Sequence, residues 1–199
     1  MKLTVAAALL ALISHAACAG TITNGDFASN DVSGWTTTAA TTAAHPASMV
    51  VVSNHGVLLS AGLGNSVYTT LSQLLHLDAG DVLSGTAQFF ANDFAPYNDA
   101  AFVAINGLNL FAADVSSSSA PGPGTPSIFS FLALTSGDYL LSAGVANIGD
   151  NLNDSALRVS GFQVNAGASV PLPATPALLG LGLAALAAAR RRRARSEQA

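Results

Sequence analysis

The C-terminal segment, residues 170–199, constrains the architecture of this chain more than any other stretch. It begins Val-Pro-Leu-Pro, and residues 177–189 that follow contain only Ala, Leu and Gly. An uninterrupted basic block comes next, formed by Arg190, Arg191, Arg192 and Arg193. Prolines delay the start of a helix, and a basic block after an apolar run is typical of a membrane segment whose arginine end stays in the cytoplasm. The pattern predicts a short hydrophobic helix with an Arg-rich end over residues 174–199.

The apolar part of this segment is short for a permanent membrane anchor. A helix rises about 1.5 Å per residue and needs about 20 residues to cross roughly 30 Å of hydrocarbon. Residues 174–189 fall below that length, and many of them are Ala or Gly rather than Leu. We therefore expect transient anchoring in the inner membrane. An ordinary C-terminal anchor and a buried Ala-rich helix are the alternatives, and the arginine block counts against the buried helix.

The order of these parts resembles the PEP-CTERM sorting tail of Gram-negative bacteria. The resemblance rests on the sorting motif Val170, Pro171, Leu172 and Pro173, on the apolar run and on the basic stop at residues 190–193. It implies recognition by a membrane-embedded exosortase, removal of the tail, and delivery to the cell surface or the extracellular polysaccharide. The usual motif has Glu between the two prolines, where this chain has Leu172, so the identity of the processing enzyme stays open.

The N-terminus has the pattern of a secretory signal peptide over residues 1–19. A lysine at position 2 precedes an apolar run at 3–13, and the small residues Ala17 and Ala19 flank Cys18. This pattern predicts engagement by the export machinery and cleavage by a signal peptidase after Ala19. Lipidation of Cys18 ranks second, because His15 stands where a lipoprotein signal has Leu. Cys18 is the only cysteine, so the processed protein is expected to have no disulfide.

The segment between the two targeting regions is strongly acidic. We predict an ectodomain over residues 20–165 and a linker that carries the sorting motif over residues 166–173. Residues 20–169 contain ten Asp and a single basic residue, Arg158, which gives a formal charge of −9 with neutral histidines. Such a domain repels phosphates and attracts cations, which excludes nucleic-acid binding.

Hydrophobic patterning predicts an all-β ectodomain. Residues 36–48 are expected to form a loop or irregular edge, and the Ser/Gly/Pro-rich residues 116–126 a surface loop outside any sheet. Asn106-Gly107 predicts a two-residue hairpin turn, and Gly161, where the alternation slips by one place, predicts a bulge. Short strand-like runs separated by turn residues favour an antiparallel β-sandwich, jelly-roll-like. The predicted runs are 49–53, 57–60, 67–77, 82–90, 100–105, 108–112, 128–134, 139–147 and 157–164.

Parts of the ectodomain also resemble known extracellular proteins. The opening at residues 20–35 contains Asn-Gly-Asp-Phe and Gly-Trp and is similar to the first strand of many carbohydrate-binding β-sandwich modules. Those modules often have a calcium-binding Glu after the Phe, a position that Ala28 takes here. Residues 89–107 and 137–164 look like members of the same group of sorted surface proteins. The resemblance implies a secreted sandwich and brings no catalytic mechanism.

Acidic side chains give one candidate binding site and aromatic side chains another. Ca²⁺ takes six to eight oxygen ligands, and the Asp/Asn-rich loops contain the candidate metal ligands Asp93, Asp99, Asp150 and Asp154. The alternative is that these residues only favour turns. Trp35 and Tyr97 are candidate sugar-stacking residues. For Trp35 the alternative is a core anchor, whereas Tyr97 is expected to be the exposed ring.

The sequence contains no enzyme signature. Gly-x-Ser-x-Gly, His-Glu-x-x-His and a phosphate-binding glycine loop with Lys are all missing. We therefore predict an exported, non-catalytic protein of the cell surface or extracellular matrix. The alternative is a carbohydrate-binding module retained in exopolysaccharide, with calcium as its one candidate cofactor.

Overall fold

The computed structural model describes residues 20–39, 50–62, 64–118 and 121–167, together with positions 180, 182, 183, 187 and 190. Residues up to Gly167 form one compact unit and those from Ala168 a second. The five described positions of the second unit are helical and exposed. In the described part of the chain, no helix is both long and apolar enough to cross a bilayer. The predicted signal peptide, the sorting motif and most of the predicted C-terminal helix lie outside the described residues.

The described part of the first unit consists mostly of β-strands. The strands in its described part are β1 (Thr36–Thr38), β2 (Val50–Ser53), β3 (Gly56–Ser60), β4 (Thr69–Leu77), β5 (Val82–Ala91), β6 (Ala100–Ile105), β7 (Leu108–Asp114), β8 (Gly122–Pro123), β9 (Ser127–Leu132), β10 (Gly137–Ala146) and β11 (Ala156–Asn165). A single 3₁₀ turn, Val115–Ser117, follows β7 among these described residues. Each of the runs predicted from the sequence corresponds to one of these strands.

The strands form two antiparallel sheets. One has the order β1-β4-β10-β6-β7, and the other has the order β2-β3-β11-β5, with β8 and β9 both pairing along the free edge of β5. Most consecutive strands belong to different sheets, which is the connectivity expected of a jelly-roll-like sandwich. The antiparallel all-β fold predicted from the sequence is therefore confirmed.

The core lies between the two sheets because side chains alternate between the faces of each strand. In β4, for example, Leu71, Leu75 and Leu77 are buried, whereas Leu74 and His76 are exposed. The same alternation in β5 and β10 buries Leu83 and Leu141 completely. An aromatic cluster of Phe27, Trp35, Phe129 and Phe162 extends this core.

Two predictions about local structure are confirmed by the backbone. Asn106 and Gly107 connect β6 to β7 as a two-residue turn with φ of 46° and 81°. Gly161 has a φ of 61°, and the pairing of β11 with β5 shifts register between Ser160 and Gln163. The glycine therefore marks a bulge, as its place in the hydrophobic pattern predicts.

Two predictions about loops need correction. In the stretch 36–48, predicted to be a loop or irregular edge, the described residues Thr36–Thr38 pair with β4 as a regular edge strand. Gly122–Pro123, in the stretch predicted to lie outside any sheet, pairs with Phe90 and Ala91 of β5. Proline is tolerated there because β8 is an edge strand, whose outer side needs no hydrogen-bond donor.

The buried carboxylate of Asp81 joins the two ends of the described sandwich. Its Oδ2 accepts hydrogen bonds from the backbone N–H groups of Gly20 at 2.8 Å and Asp78 at 2.9 Å. Its Oδ1 accepts one from the N–H of Gly167 at 3.4 Å. Burial raises the pKa of Asp81, but these three donors outweigh it and hold the pKa below its ordinary value. The first and last described residues of the sandwich therefore meet at the start of β5.

Candidate functional site: an aromatic cleft beside a buried polar layer

The hydrophobic core ends in a layer of polar side chains at the end of the sandwich opposite Asp81. Asp93, Asp99, Asn147 and Ser155 continue the inward-facing positions of β5, β6, β10 and β11 just outside those strands, and Thr69 begins β4. All five side chains are buried, with exposures of 0 or 1%. We call these residues the polar layer: Thr69, Asp93, Asp99, Asn147 and Ser155.

Asp99 is at the centre of the hydrogen bonds in this layer. Its Oδ2 accepts a hydrogen bond from Ser155 Oγ at 2.6 Å, and its Oδ1 accepts one from the N–H of Ile148 at 2.9 Å. Ser155 Oγ in turn accepts from the N–H of Asn92 at 3.0 Å. Burial raises the pKa of Asp99, and the nearby charge of Asp93 raises it further.

Two oxygen atoms of the polar layer have no hydrogen-bond partner among the residues that the structure describes. Asn147 Nδ2 donates to the carbonyl of Gly62 at 2.7 Å and to Asp154 Oδ1 at 2.8 Å, which uses both of its hydrogens. Its Oδ1 is buried and unpaired. Asp93 Oδ1 accepts from the N–H of Phe94 at 2.8 Å, whereas its Oδ2 is also buried and unpaired. Buried acceptors without a partner are rare in folded proteins and call for a physical explanation.

A cleft of about 350 Å³ opens beside the polar layer. It lies between the loop 92–99 and the residues around the 3₁₀ turn, and we call it the aromatic cleft. Phe94 and Tyr97 line it as an edge-to-face pair, with ring centroids 6.1 Å apart and planes at 79°. The Phe94 side chain is 57% exposed, and the Tyr97 ring is half-buried. The remaining lining includes Pro96, Val115, Ser118 and Pro121.

Larger cavities elsewhere on the sandwich are weaker candidates. One of about 510 Å³ lies along β7 and β8, and another of about 560 Å³ lies beside Gly20 and the C-terminal half of β11. Neither contains an exposed aromatic side chain, because Phe89 and Phe162 in their walls belong to the core and Phe111 is half-buried against it. We therefore place the candidate site in the smaller aromatic cleft.

Only one of the two candidate sugar-stacking residues lies in the aromatic cleft. Tyr97 lines the cleft, but Trp35 is only 8% exposed and lies 5.5 Å from Phe27 and 5.0 Å from Phe162 between ring centroids. Its Nε1 donates to the carbonyl of Asn24 at 3.2 Å. The structure favours the core-anchor alternative for Trp35, because its ring faces are covered. Phe94, which sequence reasoning missed, is the more exposed ring of the cleft.

Three of the four candidate metal ligands belong to the polar layer or contact it, and the fourth does not. Asp93 and Asp99 belong to the polar layer, and Asp154 contacts this layer through Asn147. Asp150 instead accepts a hydrogen bond from the N–H of Leu152 at 3.0 Å, which is the local turn contact of the alternative explanation. No three His, Cys, Asp or Glu side chains of the described segments converge as a metal-binding group. Asn147, which sequence reasoning also missed, supplies the unpaired amide oxygen.

Comparisons with known proteins identify a family motif in the C-terminal segment and several solved structures of low sequence identity. A family model for the PEP-CTERM protein-sorting motif matches residues 169–193. No curated protein matches the chain. Among solved structures, TmCBM61 in complex with beta-1,4-galactotriose is 16% identical with a TM-score of 0.43, over 73% of this chain and 97% of that one.

Two further structures are similar at the same level. One described as "CBM4 structure and function" is 16% identical with a TM-score of 0.40, over 73% of this chain and 99% of that one. The secreted serine protease VesC from Vibrio cholerae is 14% identical with a TM-score of 0.42. That match covers 57% of this chain and only 22% of the protease.

The matched motif begins two residues after Gly167, the last residue of the sandwich unit. Its position corresponds to the proline motif, apolar run and arginine block singled out in the sequence. The chain thus carries a PEP-CTERM sorting tail behind an antiparallel β-sandwich, and such a tail implies an exported, surface-directed protein.

Proposed function

We propose that this chain is a non-catalytic protein of the cell surface or extracellular matrix, released from a temporary membrane anchor by an exosortase-like protease. The observation that carries the proposal is the sorting motif at residues 169–193, directly after the sandwich. The apolar run at residues 177–189 is shorter than a bilayer crossing needs, which suits a temporary anchor. We expect the protease to act at the Val-Pro-Leu-Pro motif of residues 170–173, which precedes this apolar run.

The intact mass of the surface-exposed protein tests this proposal. We expect the surface form to lack residues 1–19 and the Arg-rich end. Replacing Pro171 and Pro173 with Ala should leave the tail attached and the protein in the inner membrane. Pro176→Ala, a proline change just outside the motif, is the matched control and should leave processing unchanged. Full-length protein found soluble in the cytosol, with both ends intact, would contradict the proposal.

The aromatic cleft favours carbohydrate binding as a second candidate function. Aromatic faces stack on the apolar faces of pyranose rings, and ligand sites combine such surfaces with a few polar groups. Phe94 is exposed and stands nearly perpendicular to Tyr97 in the cleft, so at least one ring face is accessible. The acidic character of the domain favours a neutral glycan over an anionic one, because like charges repel.

Retention on a column of the matrix polysaccharide, with and without calcium, tests this second function. We expect Phe94→Ala and Tyr97→Ala each to weaken binding about tenfold, which corresponds to about 1.4 kcal/mol. Tyr139→Ala is the matched control, since Tyr139 is also half-buried in an edge-to-face pair, with Phe131, at the opposite end of the sandwich. Unchanged retention of both cleft variants would exclude the aromatic cleft as the carbohydrate-binding site. Turnover of the polysaccharide that is lost on substitution of one Asp would contradict the non-catalytic assignment.

A further inference from the structure

The polar layer buries two carboxylates that have no positively charged partner in the described part of the chain. Asp93 and Asp99 are 1% and 0% exposed. Arg158, the only Lys or Arg between residues 20 and 169, donates instead to the carbonyls of Ser53 at 3.2 Å and Asn54 at 2.9 Å. A carboxylate that is removed from water must be paired, bound to a metal or protonated, because an isolated buried charge is too costly. The layer therefore needs a proton or a cation.

The strand register brings the relevant oxygens to the same level of the sandwich. Ala146 of β10 pairs with Ala100 of β6, so Asn147 and Asp99 lie side by side one step further along. The bond from the N–H of Ile148 to Asp99 Oδ1 confirms this alignment. Asp93 faces them from β5 in the opposite sheet, and its charge acts on Asp99.

The unpaired atoms in this layer are all oxygens. Asn147 uses both amide hydrogens on Gly62 and Asp154, so its Oδ1 points away from these two acceptors and needs a donor or a cation. Asp93 Oδ2 needs the same. Carboxylate and amide oxygens are the ligands of hard cations, and Ca²⁺ accepts backbone carbonyls and water as the rest of its six to eight ligands. Softer metal ions instead prefer thiolate, thioether or imidazole ligands.

We propose that Asp93 Oδ2, Asn147 Oδ1 and the carboxylate of Asp99 form a calcium site that closes the polar end of the core. The site differs from the four-aspartate set predicted from the sequence, because it leaves out Asp150 and includes an amide oxygen. It joins the loop 92–99 to the ends of β5 and β10 across the two sheets. The proposal does not depend on carbohydrate binding in the neighbouring cleft.

Calorimetric titration of the exported, processed protein with calcium chloride, after treatment with a chelator, tests the site. We expect saturable binding of one ion and a rise in melting temperature of roughly 5 to 10 °C at a hundredfold excess over Kd. Asp99→Asn and Asp93→Asn should each weaken binding at least about tenfold. Asp150→Asn, which changes a carboxylate outside the polar layer, is the matched control and should bind calcium as the parent does.

Several results would overturn the site. If the parent protein shows no binding heat and melts at the same temperature with calcium and with chelator, the layer holds a proton or a water molecule instead. If Asp93→Asn is more stable than the parent and its stability does not depend on calcium, the carboxyl group of Asp93 is protonated in the parent rather than bound to an ion. Because buried substitutions can prevent folding, the titration of the parent protein is decisive by itself. Binding that is lost in Asp150→Asn but kept in Asp99→Asn would place the ion elsewhere.

Discussion

Asp81 stabilises the end of the sandwich at which its first and last described residues meet. It is 2% exposed, and its carboxylate accepts hydrogen bonds from the backbone of Gly20, Asp78 and Gly167. Gly20 is also the residue that the predicted signal cleavage would leave as the new N-terminus. Its backbone nitrogen would then be an ammonium group, and its hydrogen bond to Asp81 an ion pair, which is stronger than a neutral bond.

We predict that Asp81→Asn lowers the stability of the processed protein by on the order of 2 to 3 kcal/mol, because charge-assisted bonds become neutral ones. Because the pKa of Asp81 is lowered in the folded protein, the stability that this residue contributes decreases as the solution becomes acidic. Its contribution is complete above the unfolded-state pKa, about 3.9, and is lost as the pH falls through the folded-state pKa. Chemical denaturation between pH 7 and pH 3 measures both effects. Asp26→Asn, an exposed carboxylate with only a local hydrogen bond, is the control; an equal loss in the two variants would contradict this role.

The functional residues were only partly predictable from the sequence. Tyr97 was predicted because it lies between Pro96 and the Asn98-Asp99 pair, and Asp93 and Asp99 were predicted because Asp and Asn cluster there. Phe94 was missed because an isolated Phe normally predicts a core position. Asn147 was missed because it ends an apolar run, although it continues the inward parity of Ala143 and Val145 and so could have been recognised as buried.

At the scale of elements, the β6–β7 hairpin is the clearest case of a turn that the sequence specifies. Asn106 and Gly107 both adopt positive φ. Asn106 also bridges to β10, because its Oδ1 accepts from the N–H of Leu140 at 2.8 Å and its own N–H donates to the Leu140 carbonyl at 2.9 Å. The side chain therefore fixes the turn and the neighbouring strand at once.

We predict that Asn106→Ala destabilises the sandwich by about 1 to 2 kcal/mol, since it removes this acceptor and places a less tolerant residue at positive φ. Urea unfolding monitored by the fluorescence of the buried Trp35 measures the change. Asn109→Ala, an exposed position on the same hairpin, should change stability by less than about 0.5 kcal/mol. The interpretation fails if both variants unfold at the parent's midpoint.

Elements with a hydrophobic pattern of their own were predictable, and elements without one were not. The long strands β4, β5 and β11 alternate clearly because each buries one face, and β10 does so over its first seven residues, 137–143. The edge strands β1 and β8 consist of Thr36–Thr38 and Gly122–Pro123 and have no buried pattern that would distinguish them from loops. Their pairing is determined by the free edges of β4 and β5, which a local sequence window does not show.

At the scale of the whole molecule, the sandwich has two different ends. Asp81 precedes β5 and Asp93 follows it, so the ten residues of this strand separate the two by roughly 33 Å at about 3.3 Å per residue. Gly20 and Gly167 meet at the Asp81 end, whereas the polar layer and the aromatic cleft occupy the other. While the tail is still attached, mechanical tension applied through the residues beyond Gly167 therefore enters the sandwich beside Asp81. The loops at the opposite end, which contain the polar layer and the aromatic cleft, bear none of that load directly.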